Sequence, residues 1–301
     1  MSPPIERCVV TRIHGGLGNQ LFQYATGHAL AFRLGVPHKV DAHLFNLSSD
    51  RVLGLREFNL PLDEATPDEP RQLTPQWGPW WKNKAILWSH KLTPFYHRRW
   101  VLEETLDFDP RLFHVRPPCY LDGWWQSEKY FAACAGQIRQ IFQLAPAPSP
   151  RVAALGAELS RASAIAVHVR RGDYVRNRDA ALFHGCCSIE YYAAAGRWMR
   201  QRLPRAPFYV FSDDPAWARA NLTLDEPVSW IEASPPHSAH EDFFLLGCCT
   251  YFIIANSSFS WWPAWLQTTP TKLVIAPRRW FLGHDVNVAD RFPPEWHLID
   301  A

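Results

Sequence analysis

The chain has 301 residues, 47% of them hydrophobic, with 31 Lys or Arg against 29 Asp or Glu and a formal net charge of +2. That balance, with no basic run or stripe, excludes a dedicated nucleic-acid binder, and the length fits two domains. The seven cysteines include the adjacent pairs Cys186-Cys187 and Cys248-Cys249 but no CxxC or Cys/His ligand spacing. They read as reduced, mostly buried thiols of a cytosolic protein rather than a zinc module or a disulfide framework.

The opening residues, MSPPIERCVVTRIHGG, carry no charged stretch followed by an apolar one. No run of ~20 apolar residues occurs, so neither a secretory leader nor a membrane span is expected. The Asn-x-Ser/Thr triplets at Asn46, Asn221 and Asn256 are accordingly read as incidental. Residues 8–13 read as a first strand, HGGLGNQ as a glycine-rich turn, and the text after it as a helix. Leu21, Ala25, Ala29 and Phe32 supply its helical spacing and Gly35 its stop, completing the opening of a βα unit.

From residue 46 to about 116 the text is rich in Pro and Trp and weakly periodic, which predicts only short helices and loops. Residues 119–125 read as a strand and 127–144 as a helix with Ser127 as its N-cap. APAPSP, at 145–150, is the best linker, because proline stops helices and stiffens a connection. It divides the chain into a first domain over 1–150 and a second over 151–301, whose tail has the option of returning to the first. Beyond it strands are predicted at 164–169, 207–212, 227–231, 251–255 and 272–276. Helices fall between them at 188–203, 214–221, 239–249 and 258–267, the alternation of a parallel sheet covered on both faces.

Ligands of such sheets bind outside the carboxyl ends of the strands. That rule gathers HVRRGDY (168–174), SDD (212–214), the helix bearing Glu241-Asp242, and NSSFSWW (256–262). Guanidinium matches phosphate oxygens in bidentate geometry, and successive strand residues point to opposite faces. One of Arg170 and Arg171 can therefore reach a phosphate while the other pairs internally, with Asp173 as a candidate; a purely structural ion pair is the competing reading. Ser258 stands at a helix start, where hydroxyls and free N–H groups hold anions or simply cap the helix. Asp242 either complements a helix dipole or accepts two hydrogen bonds from the edge of guanine. The glycine turn allows close backbone approach but lacks a P-loop lysine. The lone Asp107-Phe108-Asp109 triplet is a poor metal site, so arginine rather than magnesium is expected to balance a bound diphosphate.

Together GGLGNQLFQYA, YLDGWWQSEKYF, HVRRGDY, FSDD, EDFFLL and NSSFSWW resemble the alpha-1,2-fucosyltransferases of glycosyltransferase family 11, in that family's order and across most of the chain. The resemblance implies an α/β, GT-B-like fold: two Rossmann-like domains with parallel sheets facing a cleft, the first on the acceptor side and the second holding GDP-fucose. It implies an inverting, metal-independent transfer of L-fucose from GDP-β-L-fucose to the 2-hydroxyl of a terminal galactose, with no cofactor. By the same likeness Arg170, following His168, clamps the diphosphate, Ser258 and the Phe259 backbone hold a phosphate, Asp242 reads guanine, and Asn19 approaches the donor from the other domain. Asp173 is the nominee for general base, against a role in orienting Arg171. The expected acceptor is a galactose-terminated oligosaccharide or lipid-linked glycan. The expected location is cytoplasmic, with peripheral attachment to the inner membrane as a variant. A fucosyltransferase of another linkage, a non-catalytic glycan-binding protein and a GDP-sugar hydrolase are the alternatives.

Overall fold

The computed structural model describes residues 5–47, 52–76, 78–172, 185–231, 239–282 and 287–300. The chain forms two compact units, Met1–Gln143 with Ala289–Arg291, and Leu144–Val288 with Phe292–Ala301.

The first unit is built on strands β1 (Val9–Arg12), β2 (His38–Asp41), β3 (Trp100–Leu102) and β4 (Cys119–Asp122), all parallel in the order β2-β1-β4-β3. The predicted first helix runs from Leu17 to Leu34 and buries Leu21, Phe22, Ala25 and Leu30. It ends as expected at Gly35, whose φ of 63° is the left-handed conformation that lets its N–H reach back to the last carbonyls. The helix lies so close to the sheet that a Cβ on Gly27 would sit 2.0 Å from Thr11 Oγ1.

Three expectations need correction in this unit. The strand read over 119–125 ends at Asp122. The helix read over 127–144 is instead two 3-10 turns, Glu128–Tyr130 and Ala132–Cys134, followed by an α-helix over Ala135–Ile141. Tyr130 and Phe131 are adjacent and both buried, yet Tyr130 packs on Phe108 and accepts the Asp109 N–H, whereas Phe131 packs on Phe22. Phe131 lies between the two turns, at a φ of −127°, rather than within a continuous helix. Within the stretch left irregular lie β3 and a helix over Trp80–Leu92. That helix buries none of its residues, and Trp80, Trp81 and Trp88 are exposed.

The second unit has strands β5 (Ile165–Val169), β6 (Phe208–Ser212), β7 (Val228–Trp230), β8 (Tyr251–Ile253), β9 (Leu273–Pro277) and β10 (His297–Ile299). They are all parallel in the order β10-β9-β8-β5-β6-β7. β5 is buried at every position, as the apolar run Ile-Ala-Val requires of a central parallel strand. Helices over Pro150–Arg161, Ile189–Arg202, Pro215–Asn221, Ala239–Cys248 and Ser258–Leu266 cover the sheet. The proline that closes APAPSP opens the first of them at its N1 position, where a missing N–H costs nothing. Trp261, Trp262 and Trp265 are wholly buried, with Trp261 and Trp265 stacked at 5.9 Å.

Strand order decides where each unit can bind a ligand. In the second sheet the chain lays β6 and β7 on one side of β5, then returns to lay β8, β9 and β10 on the other. The crevice therefore opens outside the carboxyl ends of β5 and β8. In the first sheet the same reversal falls between β1 and β4. Among the described residues no helix is long and apolar enough to cross a membrane.

Candidate functional site

The end of β5 carries His168 and Val169, then Arg170, Arg171 and Gly172. The Asp213 carboxylate, just beyond β6, organises this turn: it accepts the backbone N–H groups of Arg171 and Gly172 at 2.8 and 3.0 Å and lies 2.9 Å from Arg170 Nη1. A Cβ on Gly172 would stand 2.7 Å from Asp213 Oδ2, so the glycine is what permits the approach. Arg171 is used differently. Its guanidinium lies 3.7 Å from the centroid of the Trp217 ring, with Asp214 at 3.6 Å, a stacked and half-buried brace. Both arginines therefore have a partner within the fold, but different ones: Arg170 takes Asp213, and Arg171 takes Trp217 and Asp214. Asp173 and Tyr174 lie outside the described residues.

His168 is 7% exposed, and burial, assisted by the neighbouring Arg170 charge, lowers its pKa to about 3, so its imidazole is neutral. Its ring sits 5.8 Å from Phe259, which meets Phe243 edge-on at 5.9 Å. Its carbonyl accepts from the Tyr192 hydroxyl at 3.1 Å. Phe259 therefore joins the end of β5 to the helix that bears Asp242 in its first turn. Ser258 opens the helix after β8, and Ser257 caps it by accepting the Phe259 N–H at 3.3 Å. Asn256, buried ahead of the cap, donates to the carbonyls of Gly185 and Trp280. The order reversal thus brings Arg170, His168, Ser258 and Phe259 to one strand-end region, as the sequence reading expected.

Asn19 belongs to the first unit, where its Oδ1 accepts from Gln126 Nε2 at 2.6 Å beside the glycine turn. At the β1/β4 reversal of that unit lies a cavity of about 340 Å³ lined by Arg12, His14, Glu103, Asp122 and Trp124 among others. Arg12 pairs with Asp122 at 2.9 Å, and the His14 ring packs on Trp124 at 4.3 Å. Glu103 accepts the N–H groups of Trp124 and Trp125 at 2.6 and 3.0 Å. Trp125 holds a φ of 55°, an uncommon left-handed state for so large a residue, and these bonds stabilise it. Burial raises the Glu103 carboxyl to about 7, although the two N–H donors and the nearby Arg291 charge pull the other way. Burial and Arg12 lower His14 to about 4. The sequence reading missed this cluster. Its one available signal was that Arg12 and Asp122 close apolar strand text; Glu103 sits in the stretch with no legible pattern.

Among the described residues no three His, Cys, Asp or Glu side chains converge as metal ligands would. All seven cysteines are free thiols, five of them buried and Cys186 and Cys248 partly exposed.

Two Rossmann-like α/β units, each built on a parallel sheet, are the components of the GT-B fold. The profile described as Glycosyl transferase family 11 matches residues 82–300. An alpha-1,2-colitosyltransferase of Escherichia coli is 31% identical over 97% of this chain and 99% of its own. The O-antigen biosynthesis glycosyltransferase WbnK of Escherichia coli is 27% identical over 91% of this chain and 95% of its own. A galactoside alpha-(1,2)-fucosyltransferase 2 of Oryctolagus cuniculus is 28% identical over 95% of this chain and 75% of its own. The chain belongs to glycosyltransferase family 11.

Proposed function

We propose that this glycosyltransferase moves L-fucose from GDP-β-L-fucose to the 2-hydroxyl of a terminal galactose, with inversion and without a metal. One observation carries the reading: Arg170 and the helix N-terminus at Ser258 stand at the β5/β8 reversal of the second unit. As the glycosidic bond breaks, negative charge grows on the leaving diphosphate. A fixed guanidinium and helix N–H dipoles aimed at it are usually the largest catalytic term. Arg170 clamps the diphosphate, with Asp213 holding one edge of its guanidinium. Ser258 and the Phe259 N–H hold a phosphate, whose charge outcompetes the long bond from Phe259 to Ser257. Asp242 reads the guanine edge, neutral His168 packs behind the phosphate region, and Asn19 is a donor contact. Asp173 takes the proton of the attacking hydroxyl. We place the galactoside in the first unit's cavity, where Trp124 offers a ring face and paired polar groups offer hydrogen bonds without strong net charge. The protein works in the cytoplasm.

The likeness to a colitosyltransferase favours a second reading, in which the same residues accept activated colitose. The deciding experiment offers lactose or a galactosyl-N-acetylhexosamine with each activated sugar in the presence of EDTA, followed by linkage analysis. An alpha-1,2-linked fucoside formed at undiminished rate supports the first reading. Fucose released as free sugar, or product only from activated colitose, overturns it.

A further inference from the structure

The helix Trp80–Leu92 is unlike the other long helices, since it buries none of its residues. Trp80, Trp81 and Trp88 are 71%, 61% and 68% exposed, and Leu92 is 64% exposed. Trp81, Ala85, Trp88 and Leu92 recur at i, i+4, i+7 and i+11, so they form one stripe along the helix. The side turned to the protein is marked by Lys82, Asn83, Ile86 and His90, which are partly covered, and His90 Nε2 lies 3.0 Å from the Trp100 carbonyl. Lys84 and Lys91 are exposed beside the stripe, and the Lys84 ammonium lies 5.0 Å from the Trp80 ring centroid.

Charge reinforces the pattern. Between Glu69 and Glu103 the sequence has no carboxylate, while it has Lys82, Lys84, Lys91 and Arg99; Arg71 pairs with Asp68, and buried Arg98 pairs with Glu104. At ~1.5 Å per residue the helix is about 20 Å long, short of the ~30 Å hydrocarbon thickness. It can lie on a bilayer but cannot cross one.

We propose that Trp80–Leu92 is an interfacial helix that seats the first unit on an anionic lipid surface. Tryptophan rings favour the headgroup level, where an apolar body and a polar N–H are both satisfied. Lysines flanking them extend to lipid phosphates while their stems cover apolar surface. A second copy of this chain fits the face poorly, because isologous pairing would set Lys84 and Lys91 against their own like charges. The surface would bring a lipid-linked glycan within reach, though the inference holds whichever sugar is transferred.

The test uses the full chain sedimented with phosphatidylcholine vesicles, alone or mixed with phosphatidylglycerol. Binding should require phosphatidylglycerol and weaken as salt screens the lysines. Trp81→Ser with Trp88→Ser should lower partitioning roughly tenfold or more, with unchanged Tm and unchanged turnover of a soluble acceptor. Lys84→Gln with Lys91→Gln should abolish the preference for anionic lipid. The proposal is overturned by three results: no sedimentation with anionic vesicles at low salt, equal sedimentation of the tryptophan variant, or tryptophan-dependent self-association without vesicle binding.

Discussion

The guanidinium of Arg170 lies 2.9 Å from the carboxylate of Asp213. The same carboxylate fixes the turn after β5 through two backbone N–H groups, so it positions the arginine and the loop that carries it. Asp213→Asn replaces one accepting oxygen with a donor and sets it against other donors. We expect GDP affinity to fall about tenfold, read by calorimetry, since stranding one such donor costs ~1–3 kcal/mol.

Arg170→Ala removes the group assigned to the leaving charge. Loss of one such donor typically costs ~2.7–4 kcal/mol, so kcat should drop roughly a hundred- to a thousand-fold. The side chain is only partly buried, so Tm should stay close to wild type. Near-normal turnover would remove Arg170 from the mechanism.

Gly123→Ala tests the crowding beneath the first unit's cavity. A Cβ there would lie 2.4 Å from Glu103 Cβ and 2.9 Å from Trp125 Cε2, neither the tip of a flexible chain. Overpacking of this kind costs ~1–3 kcal/mol. We expect a lower urea midpoint together with a raised KM for the galactoside and an unchanged KM for the donor.

Acid should destabilise the protein through its buried histidines. Burial lowers His14 to about 4, and His38 and His168 to about 3. As pH falls below ~6.5 the unfolded chain takes up these protons and the native chain does not, so stability present above ~6.5 is lost on the way to the folded values. Glu103, raised to about 7 by burial, runs the opposite way: its protonated form is favoured in the native state, which gains from it as pH falls. Burial lowers His28 and His90 as well, so five histidines stand against one carboxyl and the net is a loss. Thermal melts at pH 7 and pH 5 should show it, and His168→Gln should shrink the difference.

Thiol accessibility is a simple check on packing. Cys187 and Cys249 are buried beside partly exposed Cys186 and Cys248, and burial pushes Cys187 up to about 12. Ellman's reagent should therefore label at most Cys186 and Cys248 in the native protein and all seven thiols in guanidinium.

Legibility followed the kind of signal each element carries. β5 was readable because a central parallel strand is apolar throughout, and the loops after β5 and β8 could be grouped from strand alternation alone. The Arg171 partner was not readable, since stacking on Trp217 leaves no spacing in the sequence. Trp80–Leu92 escaped because Trp80, Ile86 and Leu87 fall off its Trp81-Ala85-Trp88-Leu92 stripe and blur the helical spacing. The cavity at the β1/β4 reversal escaped for another reason: Glu103 meets Trp124 and Trp125 only through the fold, and a positive φ at a tryptophan breaks the usual glycine signature.

The short segment Ala289–Arg291 belongs to the first unit although its neighbours on both sides belong to the second. Asp290 pairs with Lys129, accepts the Phe108 N–H at 3.1 Å and receives the Ser127 hydroxyl at its carbonyl. Arg291 is 3% exposed and supplies positive charge toward Glu103. The first unit is thus completed by residues far along the chain from its continuous stretch, with Arg291 supplying the positive charge that faces Glu103. A fragment cut at Gln143 would therefore hold Glu103 without the charge of Arg291.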